Sequence, residues 1–210
     1  MKLRFLIVII VGLSINSCSF HNAEFYINMG DKSMNNGYFE SALKNYTKAI
    51  EMDSKNYYPY FQRGIIYYRK GQFELGIKNF CEAIKYNPND IESYSYRACC
   101  YSLEKKYYSA LKDLNHIIRK SNKDANAYNN RAAIYIALGK NELAIKDGDI
   151  AIELDSQFGS AYSNRALAYK NLGEKETSIK DFKKAVDLGD EYGSQQLKTF
   201  YNIVYPVTKK

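Results

Sequence analysis

The sequence predicts an all-α fold, a solenoid of five helix-turn-helix units followed by a C-terminal capping helix. Three observations carry this reading. Arg63, Arg97, Arg131 and Arg165 stand 34 residues apart, each with a tyrosine three residues before it (Tyr60, Tyr94, Tyr128, Tyr162) and another four after it (Tyr67, Tyr101, Tyr135, Tyr169). The same period divides the chain without insertion into units 23–56, 57–90, 91–124, 125–158 and 159–192, a regularity that marks a repeat array. Small residues recur in register at unit position 8 (Gly30, Gly64, Ala98, Ala132, Ala166) and position 20 (Ala42, Gly76, Ala110, Ala144, Ser178).

Within each unit, positions 4, 8 and 11 fall on one face of a first helix, and positions 20, 24 and 27 on one face of a second. Glycine at position 15 (Gly37, Gly71, Gly139, Gly173) separates the two as a left-handed cap does. A polar cluster such as Asn87-Pro88-Asn89 ends the second helix. Antiparallel pairing about the glycine brings together positions whose numbers sum to about 31, so tyrosines at 4 and 11 meet small residues and the rings fill the space left. One hairpin cannot bury its apolar face alone, and the units therefore stack.

This register of small and aromatic positions resembles the tetratricopeptide repeat family from residue 23 to residue 192. The resemblance implies a right-handed superhelical solenoid whose function is binding. Departures are Lys105 in place of the turn glycine, Ile117 in place of alanine and Gly148 in place of an aromatic, where locally altered packing is expected. Residues 193–204, with Leu197, Phe200, Tyr201 and Val204 on one side, are expected to form the capping helix. Residues 205–210 are expected to be a loose tail.

The front of the chain is of another kind. Lys2 and Arg4 precede the apolar run Phe5–Leu13 and then Ser14-Ile15-Asn16-Ser17-Cys18, the layout of a secretory signal. The run falls short of the about 20 apolar residues that a transmembrane helix requires. Ile15-Asn16-Ser17-Cys18 resembles a bacterial lipobox. That resemblance implies a signal peptide over residues 1–17, lipidation of Cys18 and a location on the extracytoplasmic side of a membrane in the bacterial cell envelope. Residues 18–22 would be the whole tether, reaching at most about 17 Å.

The net charge is +7, of which Lys2 and Arg4 supply two. It forms no basic stripe with interleaved base-stacking aromatics, which argues against a nucleic-acid partner. Cys81, Cys99 and Cys100 show no CxxC spacing, and neither His21 nor His116, both expected at the surface, lies at ligand spacing from a cysteine, so no metal site is expected. A Cys81–Cys100 bridge remains geometrically open between adjacent units. Nothing forms a nucleophile–base constellation or a phosphate loop. No catalysis, no cofactor and no small-molecule substrate are expected.

The arginine ladder reads as structure more than as a cationic rail. Asp113, Asp147 and Asp181 repeat at position 23, nearly opposite position 7 across the hairpin, and a desolvated guanidinium demands a carboxylate. The expected pairs are Arg97–Asp113, Arg131–Asp147 and Arg165–Asp181, with Arg63 facing Asn79 and left the freest. In the tetratricopeptide family, first helices line a concave groove. The resemblance places Tyr58, Phe61, Ile65, Tyr68 and Arg69 there, with Ser95 and Cys99, then Asn126, Asn129 and Ala133, then Ser163 and Leu167. Such a groove suits a protein or peptide partner, its aromatics as anchors and its amides as hydrogen-bond partners of an extended backbone. The Asn130-Arg131-Ala132 stretch is similar to part of a chaperone-tail carboxylate clamp. Ser95, Cys99, Ser160 and Asn164 stand where the rest of such a clamp needs lysines, asparagine and arginine. Membrane-tethered scaffold is thus the expected function. The alternative is an envelope-assembly factor similar to type IV pilus pilotins or outer-membrane assembly lipoproteins.

Overall fold

The computed structural model describes residues 22–206, and the described residues form eleven helices and no strand. The expected signal peptide and lipobox-like stretch, with Cys18 and His21, lie outside them. The helices are α1 (22–35), α2 (Phe39–Met52), α3 (Tyr57–Arg69), α4 (Phe73–Tyr86), α5 (Ile91–Leu103), α6 (Tyr107–Lys120), α7 (Ala125–Ala137), α8 (Asn141–Leu154), α9 (Gly159–Asn171), α10 (Lys175–Asp187) and α11 (Glu191–Tyr201). They alternate as the period requires, in the order of a solenoid of helical repeats. The chain divides into two compact units, Met1–Glu104 and Lys105–Lys210, with the boundary in the turn of the third repeat.

Local chemistry sets the helix ends. Most first helices start at a side-chain cap: Asn56 accepts from the Tyr58 amide, Asp90 from Ser93, Asp124 from Ala127 and Asp190 from Tyr192, each satisfying an N–H with no partner inside its helix. The turns between paired helices hold Gly37, Gly71, Gly139 and Gly173 at φ between 71° and 84°. In each, the following residue's N–H closes back on the helix, as Lys140 N does on the Tyr135 carbonyl at 2.8 Å. Lys105 fills the same place at φ 56°, and a Cβ is strained there. Lys105→Gly is therefore expected to raise stability by about 1 kcal/mol, read as a higher urea midpoint with unchanged slope.

In the first unit, α1–α2 and α3–α4 are tight hairpins. A Cβ on Gly30 would come within 2.5 Å of the Tyr46 ring, and one on Gly64 within 2.6 Å of Phe80. Position 8 must be small there because the ring at position 24 takes the space of its Cβ. Tyr46 and Phe80 are fully buried. Two apolar clusters result, one of Ala42, Tyr46 and Ile66, the other of Phe61, Ile65, Phe80, Ala83 and Cys100. Cys81, Cys99 and Cys100 are free thiols, and burial pushes Cys100 up to about 12.

In the second unit, Tyr128, Ala151 and Ala161 form one cluster, and Ala132, Ala144 and Ala168 another. Gly148, where the aromatic is missing, lies 3.0 Å (as an added Cβ) from the Cβ of Arg165, so the arginine stem takes space that the ring holds elsewhere. His116, expected at the surface, is half-buried. The C-terminal end departs from the expected boundaries. The capping helix starts at Glu191, because Gly189 (φ 89°) ends α10 and Asp190 caps α11. It stops at Tyr201 with Asn202 left-handed, leaving Val204 83% exposed. Leu197 is fully buried. Tyr205 is not loose: its hydroxyl donates to Asp187 Oδ1 at 3.0 Å and its carbonyl accepts from Ser194 Oγ at 3.2 Å. Ile203 and Tyr205 cover the Phe182–Val186–Leu197 cluster, which no further described helix closes.

Candidate peptide-binding groove

The arginines come first, because their pairing decides whether they are free to meet a ligand. Arg131 Nε and Nη2 donate to both carboxylate oxygens of Asp147, each at 2.7 Å. Arg165 holds Asp181 in the same way, at 2.7 and 2.9 Å. Asp147 and Asp181 are almost fully buried. The remaining nitrogen of each arginine reaches backwards to position 25 of the unit before: Arg131 Nη1 to Asn115 Oδ1 at 2.7 Å and Arg165 Nη1 to Asp149 Oδ1 at 2.6 Å. In the first unit, Arg63 Nη1 reaches Thr47 Oγ1 and Arg97 Nη1 reaches Cys81 Sγ, each at 3.2 Å. Arg131 and Arg165 are thus staples, reaching sixteen residues forward to a carboxylate within the hairpin and sixteen backward onto the preceding one. Tyr128 and Tyr135 flank the Arg131 guanidinium at 5.4 and 5.8 Å. The bond to Asp147 keeps Arg131 above the ordinary arginine range. Burial opposes the same rise at Arg165, and the bonds to Asp181 and Asp149 outweigh it.

Thr47, Cys81, Asn115 and Asp149 also stand 34 apart. That polar register was the available signal for the backward contact, which the pairing rule, confined to one hairpin, does not reach. Arg63 is the exception the sequence singled out. Its Nε is buried without a partner, while Asn79 turns its amide to the Leu75 carbonyl at 2.8 Å. Asn79→Asp supplies the missing carboxylate. It is expected to add about 1 kcal/mol and to raise the melting temperature by about 2–4 °C, measured by circular dichroism.

The groove residues divide into two sets. In the first unit the aromatics expected to face a ligand are packed. Phe61 is 6% and Ile65 8% exposed, and Phe61 lies 5.9 Å from Tyr96. Tyr96 stacks on Phe80 at 5.7 Å and meets Tyr68 edge-on at 5.6 Å. Tyr58 is half-buried, its hydroxyl donating to Asp31 at 3.2 Å and accepting from Gln62 at 2.6 Å. Ser95 and Cys99 are half-buried, and Arg69 is exposed. The reason is geometric. Phe61, at position 5 of its first helix, seats against Tyr96, at position 6 of the next, 35 residues on, and is spent there.

The same step in the second unit is made by amides: Asn164 Nδ2 donates to Asn129 Oδ1 at 2.8 Å. Asn129 is therefore buried, and Ser163 is buried as well. Asn126 and Ala133 are exposed, and Leu167 and Asn164 half-exposed. Beside them Lys170 sits over the Phe200 ring at 4.3 Å. The surface that α7 and α9 present together is thus small, polar and amide-rich, able to hydrogen-bond an extended backbone but short of apolar anchors.

Among the described residues, no group of three or more His, Cys, Asp or Glu converges as metal ligands do, and no helix is long and apolar enough to cross a membrane. Successive helical hairpins with small residues against rings define a helical-repeat scaffold for protein–protein interaction. Tetratricopeptide repeat profiles match residues 57–90 and 123–192, and a TPR repeat profile matches residues 30–71. The chain is a tetratricopeptide repeat protein. The crystal structure of MamA superimposes with a TM-score of 0.74 at 22% identity, over 88% of this chain and 98% of that one. MamA residues 41 to the end from Desulfovibrio magneticus RS-1 give 0.76 at 20%, over 81% and 96%. YrrB, described as a TPR protein with an unusual peptide-binding site, gives 0.72 at 20%, over 83% and 91%. At these identities the likeness concerns the fold. No curated protein matches the chain.

Proposed function

We propose that this protein is a lipid-anchored scaffold of the bacterial envelope, which holds an extended peptide segment of a protein partner on the amide face of α7 and α9 and performs no chemistry. The observation that carries the peptide reading is the Asn129–Asn164 pair, which fixes one amide row while Asn126 and Ala133 beside it stay open to solvent. The peptide-binding site in the description of YrrB supports the same use of the fold. The anchor reading rests on Lys2, Arg4, the apolar run and Cys18, with acyl chains on that thiol supplying the membrane affinity.

The test places a photo-crosslinking residue at position 133 of the full chain in cells and follows captured partners with and without Asn126→Trp. Filling the face is expected to cut capture about tenfold, the scale of a lost binding hot spot. Equal capture would remove α7 and α9 from the reading. Cys18→Ser is expected to shift the protein from the membrane fraction to the soluble one. Continued membrane retention would remove the acyl anchor.

A further inference from the structure

The first helix carries large apolar side chains on the side that every later first helix uses to pack on the hairpin before it. Position 3 shows this. Pro59, Ser93, Ala127 and Ala161 are all buried there, and Gly193, third in α11, lies so close to α10 that a Cβ would come within 3.0 Å of the Phe182 carbonyl. Position 7 shows it again, since its arginines reach back to the preceding second helix. In α1 these two positions are Phe25 and Met29, 59% and 40% exposed, and no described helix precedes them.

An end unit is expected to turn a polar face outward. This one does the reverse, with Phe25 and Met29 four residues apart and aligned on one stripe of the helix. Lys32, one turn further along that stripe, is exposed. Tyr26 packs edge-on to Phe25 at 5.4 Å, and Lys48 lies over the Tyr26 ring at 5.0 Å. Apolar side chains rimmed by tyrosine and long-stemmed lysine suit the boundary between acyl chains and headgroups. Glu24 adjoins Phe25 in sequence, so the contact is apolar more than electrostatic. The length of chain in front of α1 points to the occupant. Only residues 19–21 separate Cys18 from residue 22, a span of at most about 14 Å.

We propose that the Phe25–Met29 face of α1 is a lipid-docking surface that seats the first repeat on the membrane to which Cys18 is anchored. This rests on the anchored reading above, and it adds a second contact that fixes how the scaffold stands on the bilayer.

The chain has no tryptophan, so Phe25→Trp and, separately, Met29→Trp give a single reporter each. Full-length protein acylated at Cys18, verified by intact mass, is placed in phosphatidylcholine vesicles with and without brominated acyl chains. Emission is expected to shift to the blue and to be quenched about twofold at both positions, insensitive to salt. Vesicle-bound, acylated protein with unquenched tryptophan at both positions would overturn the docking surface and leave the anchor intact. A chain that carries no acyl group and does not sediment with vesicles would overturn the anchor and the docking surface together. A blue shift that grows with protein concentration in the absence of vesicles would assign the face to a second copy and overturn the proposal.

Discussion

Asp147→Ala is expected to destabilise the protein by about 3 kcal/mol, the cost of leaving a buried guanidinium without its carboxylate. The melting temperature should fall by about 6–12 °C. The size follows from the site: the Asp147 side chain is 5% exposed and that of Arg131 17%, and the remaining partner of Arg131 is the neutral Asn115. Asp181→Ala makes a sharp comparison. Arg165 keeps a carboxylate, Asp149, at 2.6 Å, so the loss there should be about half as large. Equal losses at the two sites would mean that the backward contacts contribute nothing. A charge swap at 131 and 147 should recover part of the loss and not all of it, because an aspartate at 131 cannot reach Asn115.

Phe80→Ala is expected to cost about 3–5 kcal/mol, the range for emptying a fully buried aromatic site. Phe80 is the hub of the cluster formed by α3, α4 and α5. Its ring rests on Gly64, stands 6.1 Å from Phe61 and stacks on Tyr96 at an interplanar angle of 16°. Three partners lose contact at once, and the backbone at Gly64 has no side chain with which to fill the void. In a linear array each repeat touches only its neighbours. Hydrogen exchange should therefore quicken in α3–α5 and stay unchanged in α9 and α10. A uniform rise along the chain would show that the array unfolds as one block.

The outcome at Phe61 and Tyr96 explains why part of the groove escaped the sequence. The family register names position 5 as groove-facing, but Phe61, Asn129 and Ser163 are all buried there. With phenylalanine the side chain extends far enough to be captured by the next first helix, and the exposed aromatic becomes core. Asn129 and Asn164 follow the same step with a hydrogen bond in place of a ring contact. The matched pairs, two aromatics and two asparagines each 35 residues apart, stood in the sequence. Reading them required knowing how far one hairpin is offset from the next. The C-terminal end was misread for a related reason. Gly189 shortens the fifth unit by two residues, and a strict 34-residue count runs through that change without registering it.

What the sequence alone determined is the hairpin: its period, its glycine turns and the Arg131–Asp147 and Arg165–Asp181 pairs within it. These follow from helical spacing and from complementary size and charge, which act over one turn and its two helices. What the tertiary structure decided is everything that depends on the step from one hairpin to the next. It sent Arg131 back to Asn115, buried Phe61 and Ile65, left Asn126 and Ala133 open, and folded Tyr205 onto Asp187. That step is set by side-chain packing between repeats, a sum of many small contacts that no single residue type announces.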